Sequence, residues 1–165
     1  MIKKGKVSSE LTYLLAIMML SLAVAILSTA DFGISMIVAP AYLLSLKTNV
    51  LSFGQAEYVI QAGVFLILCI VLRKFRFVYL FSFGTCLIYG VVLDLWRKIP
   101  FFNPVITPPG SMDLWLRIVM FVLGMVFTSF SVALFFKTYL YPQVYDFFVK
   151  AVFNRYGFPI SVLKT

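Results

Sequence analysis

Apolar positions in this chain run in long blocks, without the strict alternation of a half-buried strand or the single apolar stripe of a soluble surface helix. Residues 11–30, 58–72, 77–96 and 114–136 are apolar almost throughout. Measured against the roughly 20 residues that cross a 30 Å hydrocarbon core, they predict about four spanning helices. The second block is short for a span and is expected to recruit part of 52–57. Two further stretches are too short to cross. Residues 34–46 contain Pro40 and as a helix would cover only about 20 Å at 1.5 Å per residue, which predicts a broken element that re-enters the membrane or lies at its interface. Residues 139–153 place Val144, Phe147, Phe148, Ala151 and Val152 on one face and Asp146 with Lys150 on another. That is an amphipathic helix for a membrane surface or for packing against other helices.

The blocks come in a repeating order. An apolar helix ending Ser28-Thr29-Ala30 turns at Asp31-Phe32-Gly33-Ile34, passes through the short Pro40 piece, and reaches Phe53-Gly54 at the head of the next apolar run. Later, Phe135-Phe136-Lys137-Thr138 turns at Tyr139-Leu140-Tyr141-Pro142, passes through the amphipathic piece, and reaches Tyr156-Gly157-Phe158. A weak internal repeat of helix, broken element and helix is the pattern of substrate-handling membrane proteins more than of scaffolds. The first copy covers about 11–98 and an incomplete second copy about 114–165. The segment 99–113, with Pro100, Pro104, Pro108 and Pro109, cannot be a regular helix and reads as a loop lying on the membrane. The expected fold is all-α: one polytopic membrane helical bundle over 1–165, about four spans plus short re-entrant or interfacial helices. With three spans in the first copy, the two copies are expected to have inverted topology.

Composition reinforces this. Hydrophobic residues make up 62% of the 165 and charged residues 12%, against about 25% charged in soluble domains, and the mean hydropathy is +1.03. The first block is too long for a signal-peptide core and lacks a small-residue cleavage site, so it is expected to be retained. The net charge of +8 is first a topological signal. With the N-terminus in the cytoplasm, ten of the 14 Lys and Arg residues fall inside; Lys47, Arg97, Lys98 and Arg117 fall outside. That bias predicts a multi-pass protein of a bacterial plasma membrane. Attraction to anionic lipid can use the same side chains. No continuous basic face or base-stacking motif points to nucleic acid.

Catalytic chemistry has little to stand on. Histidine is absent, which removes the commonest general base and metal ligand. Cys69 and Cys86 sit inside predicted helices with no CxxC spacing, and read as small buried apolar side chains. The expectation is therefore no enzyme, no catalytic residue, no metal and no cofactor. What remains are three carboxylates at the ends of apolar blocks. Asp94 precedes Trp96-Arg97-Lys98, where an interfacial ion pair accounts for it. Glu57 opens the second span, where it favours the helix N-terminus beside a cap from Ser52 or Gln55. Asp31 joins a spanning helix to the broken one, with Gly33 allowing close backbone approach. Asp-Phe-Gly here is not a kinase signature, because no catalytic or Gly-rich loop accompanies it. The functional alternative gathers these groups: a solute, cationic or amine-bearing, binding near Asp31, Gly33, Ser35 and the Pro40 break, with Gly54, Gln55 and Glu57 from the next helix and Asp94 from the third. Protonation of Asp31 or Glu57 would then couple movement to a proton gradient.

The motifs Ala30-Asp31-Phe32-Gly33-Ile34-Ser35, Leu51-Ser52-Phe53-Gly54-Gln55, Arg73-Lys74 and Tyr89-Gly90-Val91-Val92-Leu93-Asp94-Leu95, in that order, resemble the signature of the YczE/YyaS/YitT-like bacterial integral membrane proteins. The resemblance covers about 11–98 well and the remainder loosely. It departs where Met36 stands in place of the proline that often follows Gly-x-Ser, with proline delayed to Pro40. It implies a transporter-like architecture and a member short at its C-terminus, whether truncated, a fragment, or completed by a partner. Two functions follow. The first is a transporter-like protein moving or binding a small solute. The second is a non-transporting membrane subunit that binds lipid, a second copy or another membrane protein, such as the substrate-binding subunit of an ATP-driven importer, since no Walker A sequence is present.

Overall fold

The computed structural model describes residues 9–48, 50–72, 78–108, 111–138 and 145. Among them the secondary structure is wholly helical: α1 (Ser9–Ala30), α2 (Ala39–Thr48), α3 (Phe53–Leu72), α4 (Val78–Arg97) and α5 (Leu114–Lys137), with a 3₁₀ turn at Pro100–Phe102. Three of these helices, α1, α3 and α5, are long and apolar enough to cross a membrane. The described residues are those of a helical membrane protein. α4 has 20 residues, and its assignment as a fourth span stays with the sequence reading. The amphipathic segment expected at 139–153 lies outside the described residues except for Tyr145.

The chain packs as two compact units, each drawn from both halves of the sequence: Met1–Ile34 with Val92–Leu140, and Ser35–Val91 with Tyr141–Thr165. The divisions therefore fall beside Asp31-Phe32-Gly33-Ile34, within α4 and after α5, and the proline-rich loop is not one of them.

In the first unit α1 packs along α5. Ala16, Ala23 and Ala30 recur at heptad spacing on α1 and are fully buried. Met120, Gly124 and Ser131 are the buried positions of α5. Small residues at these positions let two backbones approach where lipid offers no hydrophobic drive for association. Ser131 Oγ donates to the Ala16 carbonyl at 2.6 Å, Tyr13 meets Phe135 edge to face at 5.9 Å, and a Cβ on Gly124 would sit 2.7 Å from Leu27 Cγ. Residue 13 lies by 135, 16 by 131, 27 by 124 and 30 by 117, so the helices are antiparallel. Inside α1 the buried hydroxyls of Ser28 and Thr29 donate back to the Ala25 carbonyl at 2.9 Å, so the apolar helix carries them without orphaned donors. In the 99–113 loop, the described stretch 99–108 is tied down. Thr107 Oγ1 donates to the Pro100 carbonyl at 3.1 Å, and Phe102 packs on Ile26, Ala30 and Met120.

In the second unit the broken element is a turn at residues 36–38 followed by α2. Only ten residues are helical, about 15 Å, far short of a span. Pro40 stands second in α2, in the first turn where its missing N–H costs nothing, so it starts a helix rather than breaking one. α2 packs on α3 through Tyr42 and Phe53, ring centroids 5.3 Å apart. α3 begins five residues before the apolar block at 58 because Ser52 and Gln55 form a capping box. Gln55 N–H donates to Ser52 Oγ at 3.1 Å, and Ser52 N–H donates to Gln55 Oε1 at 3.0 Å, which satisfies two donors that a helix start otherwise leaves open.

Candidate polar site on helices α3 and α4

Along α3 the buried positions include Phe53, Gly54, Ala56, Glu57, Gln61 and Leu68, a helical stripe in which a carboxylate and an amide interrupt an otherwise apolar face. The facing stretch of α4 buries Thr85, Cys86 and Tyr89. The two helices meet where Tyr58 OH donates to the Leu87 carbonyl at 3.0 Å and Phe65 lies 6.2 Å from Phe83; residue 58 faces 87–90 and 65 faces 83, so they run antiparallel. Gly90 permits this approach: a Cβ there would fall 2.8 Å from Tyr58 Cζ. With residue 58 opposite 87–90, the antiparallel pairing sets Glu57 at the level of Tyr89.

Glu57 is fully buried. Its Oε2 accepts from Gln61 Nε2 at 3.3 Å and from Tyr145 OH at 3.2 Å. Tyr89, Tyr145 and Cys86 all lie within electrostatic reach of Glu57. Burial, and next the charge of Glu57, push the Tyr145 phenol well above its ordinary value, so it acts as a neutral donor at physiological pH. The other side of the cluster is unmatched. Glu57 Oε1, Gln61 Oε1 and Tyr89 OH have no hydrogen-bond partner among the described residues. Folded proteins leave few such atoms, and each costs on the order of 1–3 kcal/mol. No Lys or Arg among the described residues pairs with Glu57. The second carboxyl oxygen of Glu57, the Gln61 carbonyl oxygen and the Tyr89 hydroxyl leave the cluster with unused capacity to accept hydrogen bonds.

The residues expected from sequence divide between the two units. Asp31, Gly33 and Asp94 belong to the first, and Ser35, Pro40, Gly54, Gln55 and Glu57 to the second. Asp31 is the left-handed residue that ends α1, with φ +56°, followed by Gly33 at φ +117°; Asp is among the few non-Gly residues that adopt that conformation readily. Arg117 at the head of α5 locks this turn. Its Nε donates to the Ala30 carbonyl at 2.9 Å, its Nη2 to the Asp31 carbonyl at 3.1 Å, and its Nη2 pairs with Asp31 Oδ2 at 3.6 Å. The guanidinium also stacks over Phe32, 4.6 Å from the ring centroid. A cation on the last carbonyls of a helix is favoured by the dipole, so Asp31 and Gly33 have a structural task. Ser35 is exposed, and its carbonyl accepts from Val38 and Ala39 N–H at 2.9 Å as α2 begins. Pro40 and Gln55 are exposed, Gly54 is buried and Asp94 is half-buried on α4. Of the expected set, Glu57 alone enters the unmatched cluster. Gln61, Tyr89 and Tyr145 are companions that the sequence reading does not include. The Glu57-xxx-Gln61 spacing, one turn apart on an apolar helix, is the legible signal for Gln61.

Among the described residues no three of His, Cys, Asp and Glu come together in a metal-binding group, and Cys69 and Cys86 are free thiols. An apolar groove of about 530 Å³ in the first unit, lined by Met18, Val92, Leu95, Trp96, Ile99 and Pro100 with Lys98, has the character of a lipid-facing surface.

These features define a helical membrane protein with a buried acid at an unmatched polar cluster. The chain belongs to DUF6198, a family of unknown function, whose model matches residues 7–165. No curated protein and no solved structure matches it. The comparisons give no link to the YczE/YyaS/YitT-like proteins, so that resemblance rests on the motifs alone.

Proposed function

We propose that this protein is a multi-pass, transporter-like protein of the bacterial plasma membrane, N-terminus cytoplasmic, that binds and moves a small solute at the Glu57–Gln61–Tyr89–Tyr145 cluster. The observation that carries the reading is Glu57 itself: a fully buried carboxyl on an apolar helix whose second oxygen, with Gln61 Oε1 and Tyr89 OH, has no partner among the described residues. Ionisable groups at membrane depth are costly and as a rule serve a substrate or ion pathway. The antiparallel pairing of α1 with α5 supports the inverted-repeat architecture on which such transporters are built. In this reading α1, α5 and the Arg117 lock form the frame, and the α3–α4 pair carries the solute.

Native mass spectrometry of the protein extracted gently from its host membrane tests it. A reproducible small solute is expected on the wild type and on Asp31→Asn, and is expected to be lost from Glu57→Gln. A solute retained by Glu57→Gln, or lost from Asp31→Asn alone, contradicts the site. A constant protein partner in place of a solute favours the subunit reading.

A further inference from the structure

We infer that the solute is a singly charged cation carrying several N–H groups, of the ammonium or primary amine class. This rests on the Glu57 site proposed above and goes on to its ligand.

The charge follows from the groups present. When ionised, Glu57 supplies one negative charge to the cluster, and Tyr89, Tyr145 and Cys86, the other titratable groups packed around it from α4 and from residue 145, are neutral in their ordinary protonated forms. No basic side chain among the described residues offsets Glu57. The site therefore matches one positive charge. Calcium ordinarily takes six to eight oxygen ligands, several of them carboxylate, and among the described residues no three of His, Cys, Asp and Glu gather in a metal-binding group.

The hydrogen-bonding pattern narrows the class further. Glu57 Oε2 already receives two donors, from Gln61 Nε2 and Tyr145 OH. The carboxyl is thereby oriented with Oε1 left over. Gln61 donates one N–H to Glu57 and presents its carbonyl oxygen without a partner among the described residues. Tyr89 OH, 1% exposed as a residue, is the third. Glu57 Oε1 and Gln61 Oε1 are acceptors left over, and the Tyr89 hydroxyl can accept as well as donate, so the cluster suits a cation rich in N–H donors. A quaternary ammonium has no N–H to give. A bare alkali ion would need more oxygens than these three.

The experiment follows thermal unfolding of the full purified chain in lipid nanodiscs at pH 7 and constant ionic strength. Methylammonium chloride is compared with tetramethylammonium, sodium and potassium chlorides. Methylammonium should raise the midpoint by a few degrees with saturation, and tetramethylammonium should not. Glu57→Gln should abolish the shift. Gln61→Leu and Tyr89→Phe should each weaken the apparent affinity about tenfold or more, the loss expected for removing one hydrogen bond to a charged group; they keep the test decisive if Glu57→Gln does not fold. Equal, Glu57-dependent stabilisation by sodium or potassium would overturn the N–H class and leave the Glu57 site standing. Equal stabilisation by every salt in wild type and Glu57→Gln would be general screening and would overturn both. A wild type insensitive to methylammonium overturns the amine inference, while the solute found by mass spectrometry judges the site independently.

Discussion

Gly124→Ala probes the α1–α5 seam that frames the molecule. The new Cβ would lie 2.7 Å from Leu27 Cγ, 2.8 Å from Leu27 Cδ2 and 3.4 Å from the Ala23 carbonyl oxygen. Leu27 is 7% exposed and cannot swing into open space, and the carbonyl belongs to a helix backbone. Overpacking of this kind costs about 1–3 kcal/mol, while replacing glycine inside a helix returns up to about 1 kcal/mol of propensity. The net expectation is a loss of about 0–3 kcal/mol. The sharper quantity is the coupling to Leu27→Ala. That substitution alone should cost about 2–5 kcal/mol as a core truncation. In the double variant the methyl introduced at position 124 occupies space that Leu27 vacated, so the clash disappears and the two changes should be non-additive by about 1 kcal/mol or more. Reversible unfolding in mixed detergent micelles, run as a double-mutant cycle, measures it. Gly124→Ala stabilising by its full propensity gain, with coupling below about 0.3 kcal/mol, would refute the close antiparallel approach of α1 and α5.

Other expectations are as definite. Arg117→Met removes two hydrogen bonds and the cation from the α1 C-terminus and should cost about 1–3 kcal/mol by the same unfolding assay, with Arg117→Lys recovering only part because it lacks the planar fork; the Asp31 ion pair, with a half-exposed carboxylate, contributes no more than about 1 kcal/mol of this. Ser52→Ala should lower stability by about 0.5–2 kcal/mol through loss of the α3 cap, with hydrogen exchange rising first at Gly54 to Glu57. Gly90→Ala should push Tyr58 off the Leu87 carbonyl, weaken solute binding at the neighbouring Glu57 cluster, and be partly relieved by Tyr58→Ala; measured affinity unchanged in Gly90→Ala would contradict the placement of α4 against α3.

Much of the frame was legible because hydropathy in a membrane is a strong local signal. The first apolar block ends at Ala30 as expected, and α5 extends one residue past the expected 114–136. The start of α3 was readable from Ser52-x-x-Gln55, and its displacement from residue 58 to Phe53 is that capping box at work. Two things were hidden. Pro40 marks a helix start rather than a break in one, since a lone proline does not say which turn it occupies. Asp31 attracts attention as an acid at a membrane-helix end, yet its partner Arg117 lies 86 residues on, a pairing that no local pattern contains. The reverse holds for the candidate site. Gln61 and Tyr89 look like ordinary polar interruptions of apolar helices, and become a cluster only when Gly90 lets α3 and α4 close on each other.

The most direct measurement of the central claim is the charge-displacement current of proteoliposomes on a solid-supported membrane after a step of methylammonium chloride. The account predicts a saturable transient in the wild type and in Asp31→Asn that disappears in Glu57→Gln and needs higher concentrations in Gln61→Leu. Equal currents in wild type and Glu57→Gln would contradict it, as would a current abolished by Asp31→Asn alone.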